Sequence, residues 1–398
     1  ALSACEKGHQ WEWALELLGE MRQQAVPPDL ISLGAAISAC GGAARWEWAL
    51  ALRDQVFALG LRPDTIMQNA VISACEKGGQ WRLALVALHS EVARPNVVSY
   101  NAAITACARG QEWELALELF QGLHGVSLQP TVVTYSAVIG ALDKGREWER
   151  ALLLLDELLG SRLQLDAQAY GGLIAACGGG RQWHRALALL GEMRARREAP
   201  DAVAYSAAIS ACEAGLQWRQ AMGLLEDMVL RRLPLDVVAC SAAISACEKG
   251  EQWELALGLL QRMHEADIDP DAVAHNAVIS ACEKGGRWQW ALALLAQMRP
   301  KGLQPGTVSY SAAVLACGDG WNWRHTLGLL LEMQPSGIRP QVVSYCAALR
   351  ACERAGHAGW AQEPLVELQH GGLELLVAVR EEARAARAHQ EELCASGL

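Results

Sequence analysis

No two of the thirteen cysteines form a Cys-x-x-Cys pair, which removes the spacing that zinc ribbons and dithiol redox sites need. No apolar run approaches the roughly 18 residues of a membrane-spanning helix, so the chain is expected to be soluble, with no membrane partner. Catalytic signatures are missing too. The ten histidines share no position in the pattern described below, no Gly-x-Ser-x-Gly occurs, and Gly178-Gly179-Gly180 lacks the Lys-Ser/Thr of a phosphate loop. No catalytic residue, metal ligand, cofactor or small-molecule substrate is therefore expected, and any enzyme activity would lie outside this stretch. There is no positive excess either. The net charge of −10 argues against a generic nucleic-acid binder, whose affinity comes mostly from phosphate contacts and counterion release.

What the chain does have is repetition. Tryptophan recurs at Trp11, Trp46, Trp81, Trp113, Trp148, Trp183, Trp218, Trp253, Trp288 and Trp323, always 35 residues apart except for one step of 32 from Trp81 to Trp113. A fixed period of this size marks a solenoid, whose units cannot bury their own apolar faces and must stack on their neighbours. Apolar residues make up 52% of the chain and are mostly Ala and Leu, which suits closely packed helices and disfavours β-rich folds.

The unit Val237 to Asp271 defines columns 1 to 35. Cys240, Ala243, Ile244 and Cys247 (columns 4, 7, 8 and 11) follow helical spacing, and Gly250 at column 14 is expected to be the left-handed residue that ends this helix. Trp253, Ala256, Leu257, Leu260 and Met263 mark a second helix, and Pro270 stops the chain before the next unit. The expected fold is all-α, a right-handed α-solenoid of about ten 35-residue helix-turn-helix repeats. The array should run over 1–372: a partial repeat 1–29, then 30–64, 65–96, 97–131, 132–166, 167–201, 202–236, 237–271, 272–306 and 307–341, and a degenerate repeat 342–372. The 32-residue step is placed in the loop before Pro95, and 373–398 is read as a capping helix. Because Ala1-Leu2-Ser3-Ala4-Cys5 matches Ala243-Ile244-Ser245-Ala246-Cys247, the chain is read as a fragment entering mid-helix, with any targeting peptide upstream out of view.

Ten cysteines share column 11, from Cys5 and Cys40 to Cys317 and Cys352. Neighbouring helices stack about 8 to 10 Å apart, beyond disulfide reach, so these thiols are read as small buried apolar groups in a reducing compartment. The tryptophan column is read as filling the seam between hairpins.

The columns resemble the pentatricopeptide-repeat family. Val97-Val98-Ser99-Tyr100-Asn101-Ala102-Ala103-Ile104, Val132-Val133-Thr134-Tyr135-Ser136 and Ala202-Val203-Ala204-Tyr205-Ser206 carry the likeness, as does the closing Pro270-Asp271. The 34-residue tetratricopeptide pattern is not found in phase. Tryptophan at column 17, usually aliphatic in the family, and the uniform cysteine column are departures. The resemblance implies single-stranded RNA as partner, one base per repeat, with columns 5 and 35 reading base edges, and a mitochondrial or chloroplast setting.

Column 5 holds Gly34, Asn69, Asn101, Ser136, Gly171, Ser206, Ser241, Asn276, Ser311 and Cys346; column 35 holds Asp29, Asp64, Asn96, Thr131, Asp166, Asp201, Asp236, Asp271, Gly306 and Gln341. The resemblance implies guanine for Ser with Asp and a pyrimidine for Asn. The expected preference from repeat 65–96 to repeat 272–306 is pyrimidine, pyrimidine, guanine, unassigned at Gly171, guanine, guanine, pyrimidine. Asp at column 35 is equally placed to cap the next helix. Column 2 (Ile31, Ile66, Val98, Val133, Val203, Val238, Val273, Val308, Val343) is implied to sandwich the bases, with helix packing as the other reading.

Column 13 carries Lys7, Lys77, Arg109, Lys144, Lys249, Lys284 and Arg354, read as phosphate contacts or as cations favoured at helix C-termini. Glutamates at column 12 would suppress loose binding. The competing expectation is a scaffold that holds a protein or peptide in the groove.

Overall fold

A computed structural model describes residues 1–355 apart from 9, 25, 27, 91–93, 161–164, 197, 321 and 334. Most of the degenerate last repeat's second half and the cap expected over 373–398 lie outside the described residues. The described residues form twenty-one α-helices and one 3-10 turn, Arg299–Lys301, with no strand among them. The chain is an all-α array of helical hairpins. First helices fill columns 1 to 13, as in Val97–Arg109, Val237–Lys249 and Ala272–Lys284, and second helices begin at the tryptophan, as in Trp113–Gly125 and Trp253–Glu265. The hairpins fall into two compact units, one ending at Ala211 and one beginning at Cys212.

Both turns of the hairpin close by one local device. In the first, the N–H of column 16 donates to the column 11 carbonyl, as from Gln252 to Cys247 at 2.9 Å, and that of column 15 to column 12, as from Glu251 to Glu248 at 3.1 Å. This is the Schellman arrangement, and its left-handed residue is column 15, not column 14. Ala44, Gln111, Arg146, Leu216 and Glu251 have φ between 57° and 63°, whereas the column-14 glycines Gly78, Gly110 and Gly250 keep right-handed φ of −79°, −76° and −87°. The expectation that column 14 is glycine for its backbone freedom is therefore corrected.

What column 14 lacks is room. A Cβ on Gly78, Gly110, Gly145, Gly180, Gly250, Gly285 or Gly320 would stand 2.1 to 2.5 Å from Cδ1 of the preceding repeat's tryptophan. Each indole thus lies in the seam against the next hairpin. Arginines of that next hairpin cover several of them, as Arg150 does Trp113 at 4.6 Å and Arg287 does Trp253 at 4.7 Å. The seam reading of the tryptophans describes what the structure contains.

Each first helix is enclosed by its neighbours and its own partner helix. Cys240, Ala243, Ile244, Ala246 and Cys247 are buried, and Ala256, Leu259, Leu260 and Met263 meet them from the second helix. Leu257, expected in that stripe, is only half-buried, and Leu259 takes its place. The column-11 thiols from Cys40 to Cys352 are buried and free, and desolvation raises those of Cys75, Cys212 and Cys247 to about 11.

The short repeat has a shortened second helix. Trp81–Leu88 spans eight residues, whereas Trp113–Gly125 spans thirteen, so placing the deletion in a loop that spares both helices is corrected. The second helix is thus five residues, more than one turn, shorter, and its carbonyl end falls at Ala87 and Leu88. Gln68, which holds column 4 where six other repeats have tyrosine, is buried there. Its amide nitrogen donates to the Ala87 carbonyl and, at 2.6 Å, to Ser90 Oγ.

Candidate nucleic-acid interface

Column 35 is the N-cap of the following helix, and column 5 of its own repeat stands beside it. Asp166 Oδ1 accepts from Ala169 N at 2.8 Å and from Ser136 Oγ at 3.2 Å; Asp271 Oδ1 accepts from Ala274 N at 2.8 Å and from Ser241 Oγ at 3.2 Å. Asn69 Nδ2 donates to Asn96 Oδ1 at 3.3 Å. The capping role of the Asp column is thus present in the structure, and the same atom faces column 5. Asp64, Asp201 and Asp236 cap likewise through Met67, Ala204 and Ala239.

Column 2 lies two residues beyond each cap. Ile31, Ile66, Val98, Val133, Val203, Val238, Val273, Val308 and Val343 are 42 to 77% exposed, so core packing does not account for them. A Cβ on Gly171 would reach Val203 Cγ1 at 3.9 Å, which places column 5 beside the next repeat's column 2. Within each unit, columns 2, 5 and 35 make a repeated cluster: an exposed aliphatic, a small residue that is half-buried where it is asparagine and buried at Ser136, Ser206 and Ser241, and the residue at the N-cap of the next helix. Asn101, Asn276 and Ser311 are partly exposed, Thr131 is exposed, and Ser206 and Ser241 show 6 and 7% of their surface.

One participant was not singled out from the sequence. Ser99, Thr134 and Ser309, at column 3, donate to Oδ1 of Asn69, Asn101 and Asn276 at 2.5, 2.7 and 2.5 Å. The signal was legible, because each column-5 asparagine is followed by a hydroxyl at the next column 3, whereas Ser136, Ser206 and Ser241 are followed by Ala169, Ala239 and Ala274.

The column-13 cations sit at the other end of the first helix, eight residues or about 12 Å from column 5. They are exposed, and three pair with column-12 glutamates of the preceding repeat: Arg109 with Glu76 at 3.3 Å, Lys249 with Glu213 at 3.0 Å and Lys284 with Glu248 at 2.6 Å. Glu76 and Glu283 have carboxyl pKa values raised by burial, against the pull of Arg109 and Lys284 respectively. Lys7, Lys77, Lys144 and Arg354 occupy the equivalent exposed position. No cluster suited to a metal ion occurs among the described residues, and no described helix is long and apolar enough to cross a membrane.

Comparison with known proteins meets this geometry. The PPR repeat family matches residues 95–144, the Pentatricopeptide repeat domain matches 223–287 and 259–320, and the PPR repeat matches 169–197. The chain belongs to the pentatricopeptide-repeat family. Its array is similar to the crystal structure of the pentatricopeptide repeat protein PPR10 from maize, at 18% identity and a TM-score of 0.63, over 99% of this chain. The chain spans 63% of that structure's length. PPR10 in complex with an 18-nt psaJ RNA element is matched at 21% identity over 94% of this chain and 64% of that one, with a TM-score of 0.40. The PPR domain of Arabidopsis thaliana protein-only RNase P 1 in complex with tRNA is matched at 14% identity over 44% of this chain and 93% of that one, with a TM-score of 0.39. A comparison with curated protein sequences finds no match. Within each unit of this pentatricopeptide array, the tryptophan and glycine columns interlock between hairpins, and columns 2, 5 and 35 remain clear of them.

Proposed function

We propose that the array binds single-stranded RNA sequence-specifically, one base per repeat, and acts by occupying a transcript rather than by catalysis. The observation that carries this is the repeated pairing of a small polar column 5 with column 35 beside an exposed aliphatic column 2. A hydroxyl, amide or carboxylate there can complement a base edge, and a branched aliphatic side chain offers an apolar surface to a base plane. Asn69, Asn96, Asn101, Thr131, Ser136, Asp166, Asp201, Ser206, Asp236, Ser241, Asp271, Asn276 and Ser311 are the proposed readers. Ile66, Val98, Val133, Val203, Val238, Val273 and Val308 are the proposed sandwiching residues.

By this assignment repeats 65–96, 97–131 and 132–166 favour pyrimidine, pyrimidine and guanine, with repeat 167–201 silent at Gly171. Repeats 202–236, 237–271 and 272–306 favour guanine, guanine and pyrimidine. The proposed setting is mitochondrial or chloroplast RNA processing, stability or translation. The column-13 cations are proposed as a phosphate-attracting rim restrained by the glutamates beside them. A groove for a peptide would call for apolar or charged anchors, whereas column 5 is small and uncharged and the column-35 aspartates are engaged as helix caps. Selection from a randomised single-stranded RNA pool, followed by sequencing, should return this pattern; a matched RNA bound no better than its scrambled counterpart would reject the assignment.

A further inference from the structure

We infer that Ser99, Thr134 and Ser309 are positioning residues for base selection: each fixes which end of the preceding repeat's column-5 amide faces outward, so that Asn69, Asn101 and Asn276 offer an N–H donor to a pyrimidine carbonyl oxygen. This rests on the RNA-reading proposal and adds a residue to it. An asparagine amide is nearly symmetric in shape but opposite in hydrogen-bonding sense at its two ends, so a reader that can flip does not discriminate a donor edge from an acceptor edge.

The buried hydroxyls remove that freedom. All three are fully buried, and each accepts from an N-cap backbone N–H: Asn96 to Ser99 at 3.1 Å, Thr131 to Thr134 at 3.0 Å and Gly306 to Ser309 at 3.0 Å. A backbone N–H can only donate, so one lone pair of the hydroxyl is committed and its single proton points elsewhere. The nearest acceptor is the amide Oδ1, at 2.5 to 2.7 Å, a separation suited to O–H···O rather than N–H···O. Competing acceptors are farther away, Asn96 Oδ1 at 3.1 Å from Ser99 and Thr131 Oγ1 at 3.2 Å from Thr134; Ser309 follows Gly306, which has no side chain to compete. Flipping the amide would put Nδ2 against the hydroxyl and cost the proton its closest acceptor inside the stack. Nδ2 therefore turns away from the buried hydroxyl.

Repeats with serine at column 5 and aspartate at column 35 work differently. There Asp166 and Asp271 cap the helix themselves, column 3 is Ala169 or Ala274, and the reader is a rotatable hydroxyl that needs no such lock. Column 3 thus distinguishes these two kinds of reading cluster, and Ser311, beside the Ser344 hydroxyl at 3.2 Å with Gln341 at column 35, belongs to neither.

The test is base preference at individual registers. The chain carrying Ser99→Ala and Thr134→Val is put through selection from a randomised single-stranded RNA pool beside the parent chain, with helical content and melting recorded for both. Pyrimidine-over-purine discrimination should fall about fivefold at the bases facing Asn69 and Asn101, the equivalent of one ordinary hydrogen bond, and stay unchanged at other registers. Ser99→Thr with Thr134→Ser, which keeps both hydroxyls, should restore it. Ser309→Ala, in the second unit, repeats the measurement at Asn276 should the double variant fold poorly. Unchanged discrimination overturns the positioning role while leaving the asparagines as readers. An equal loss at every register also overturns it, as the mark of a structural role alone. A parent chain with no preference facing Asn69, Asn101 and Asn276 overturns this inference together with the reading assignment beneath it.

Discussion

Gly250 and Trp218 interlock across the seam between two consecutive hairpins: a Cβ on Gly250 would stand 2.2 Å from Trp218 Cδ1 and 2.7 Å from Cγ. Both belong to the second compact unit. Gly250→Ala forces the indole edge to move in a packed seam and should destabilise the fold by about 1 to 3 kcal/mol. Urea unfolding followed by tryptophan fluorescence measures this, and a variant as stable as the parent would show that the seam gives way easily.

The neighbouring residue should respond in the opposite direction. Glu251 holds the left-handed conformation at φ 57°, and so does Leu216 at φ 59° in the equivalent turn. A non-glycine residue there costs about 1 to 2 kcal/mol, partly offset on mutation by glycine's freedom in the unfolded chain. Glu251→Gly should therefore stabilise by up to about 1 kcal/mol. Adjacent substitutions in one turn, alanine for glycine and glycine for glutamate, should thus move the urea midpoint in opposite senses.

His275 takes column 4, where Tyr100, Tyr135, Tyr205 and Tyr310 stand in other repeats. It is fully buried, its Nδ1 lies 3.0 Å from the Asp271 carbonyl, and desolvation lowers its pKa below the ordinary 6.5. Protons therefore bind the unfolded chain more readily than the folded one. The stability contribution is full above pH 6.5 and is lost as pH falls from there through the folded-state value. Melting temperatures of the parent should drop on acidification below pH 6.5 more than those of His275→Tyr, and parallel curves would refute the assignment.

Exchanging a reader should exchange a base. Ser241→Asn should move the preference facing repeat 237–271 from guanine toward pyrimidine, and Ser206→Asn should do so for repeat 202–236. Because Ala274 lacks the locking hydroxyl, the shift from Ser241→Asn should be partial and should sharpen when Ala274→Ser is added. Sequencing of selected RNA gives both answers, and an unchanged motif would count against the register of the whole assignment.

Salt dependence separates the rim from the readers. Lys284 is held by Glu248 at 2.6 Å and Lys249 by Glu213 at 3.0 Å. Releasing them with Glu248→Gln and Glu213→Gln should raise affinity for matched and scrambled RNA alike. It should steepen the slope of log K against log salt by about 0.7 per freed cation, and seven such cations set a ceiling of about 5. A gain confined to the matched RNA would mean that column 13 reads sequence.

The sequence alone determined the hairpin, its period and where its helices begin, because helical spacing, capping residues and turn residues act over a few neighbours along the chain. Asp166 and Asp271 announce a cap, and Trp253 announces a seam, from local pattern alone. What only tertiary structure decided lies between repeats. Gly250 is glycine because Trp218, thirty-two positions earlier, leaves no room for a Cβ, whereas the sequence pattern suggested a left-handed backbone. The missing turn after Leu88 is answered by Gln68 of another helix, and Asn69 finds its hydroxyl thirty positions later in Ser99. Such contacts depend on the distance between stacked helices, which no local rule encodes. A period can say which residues recur, but packing selects the ones that meet.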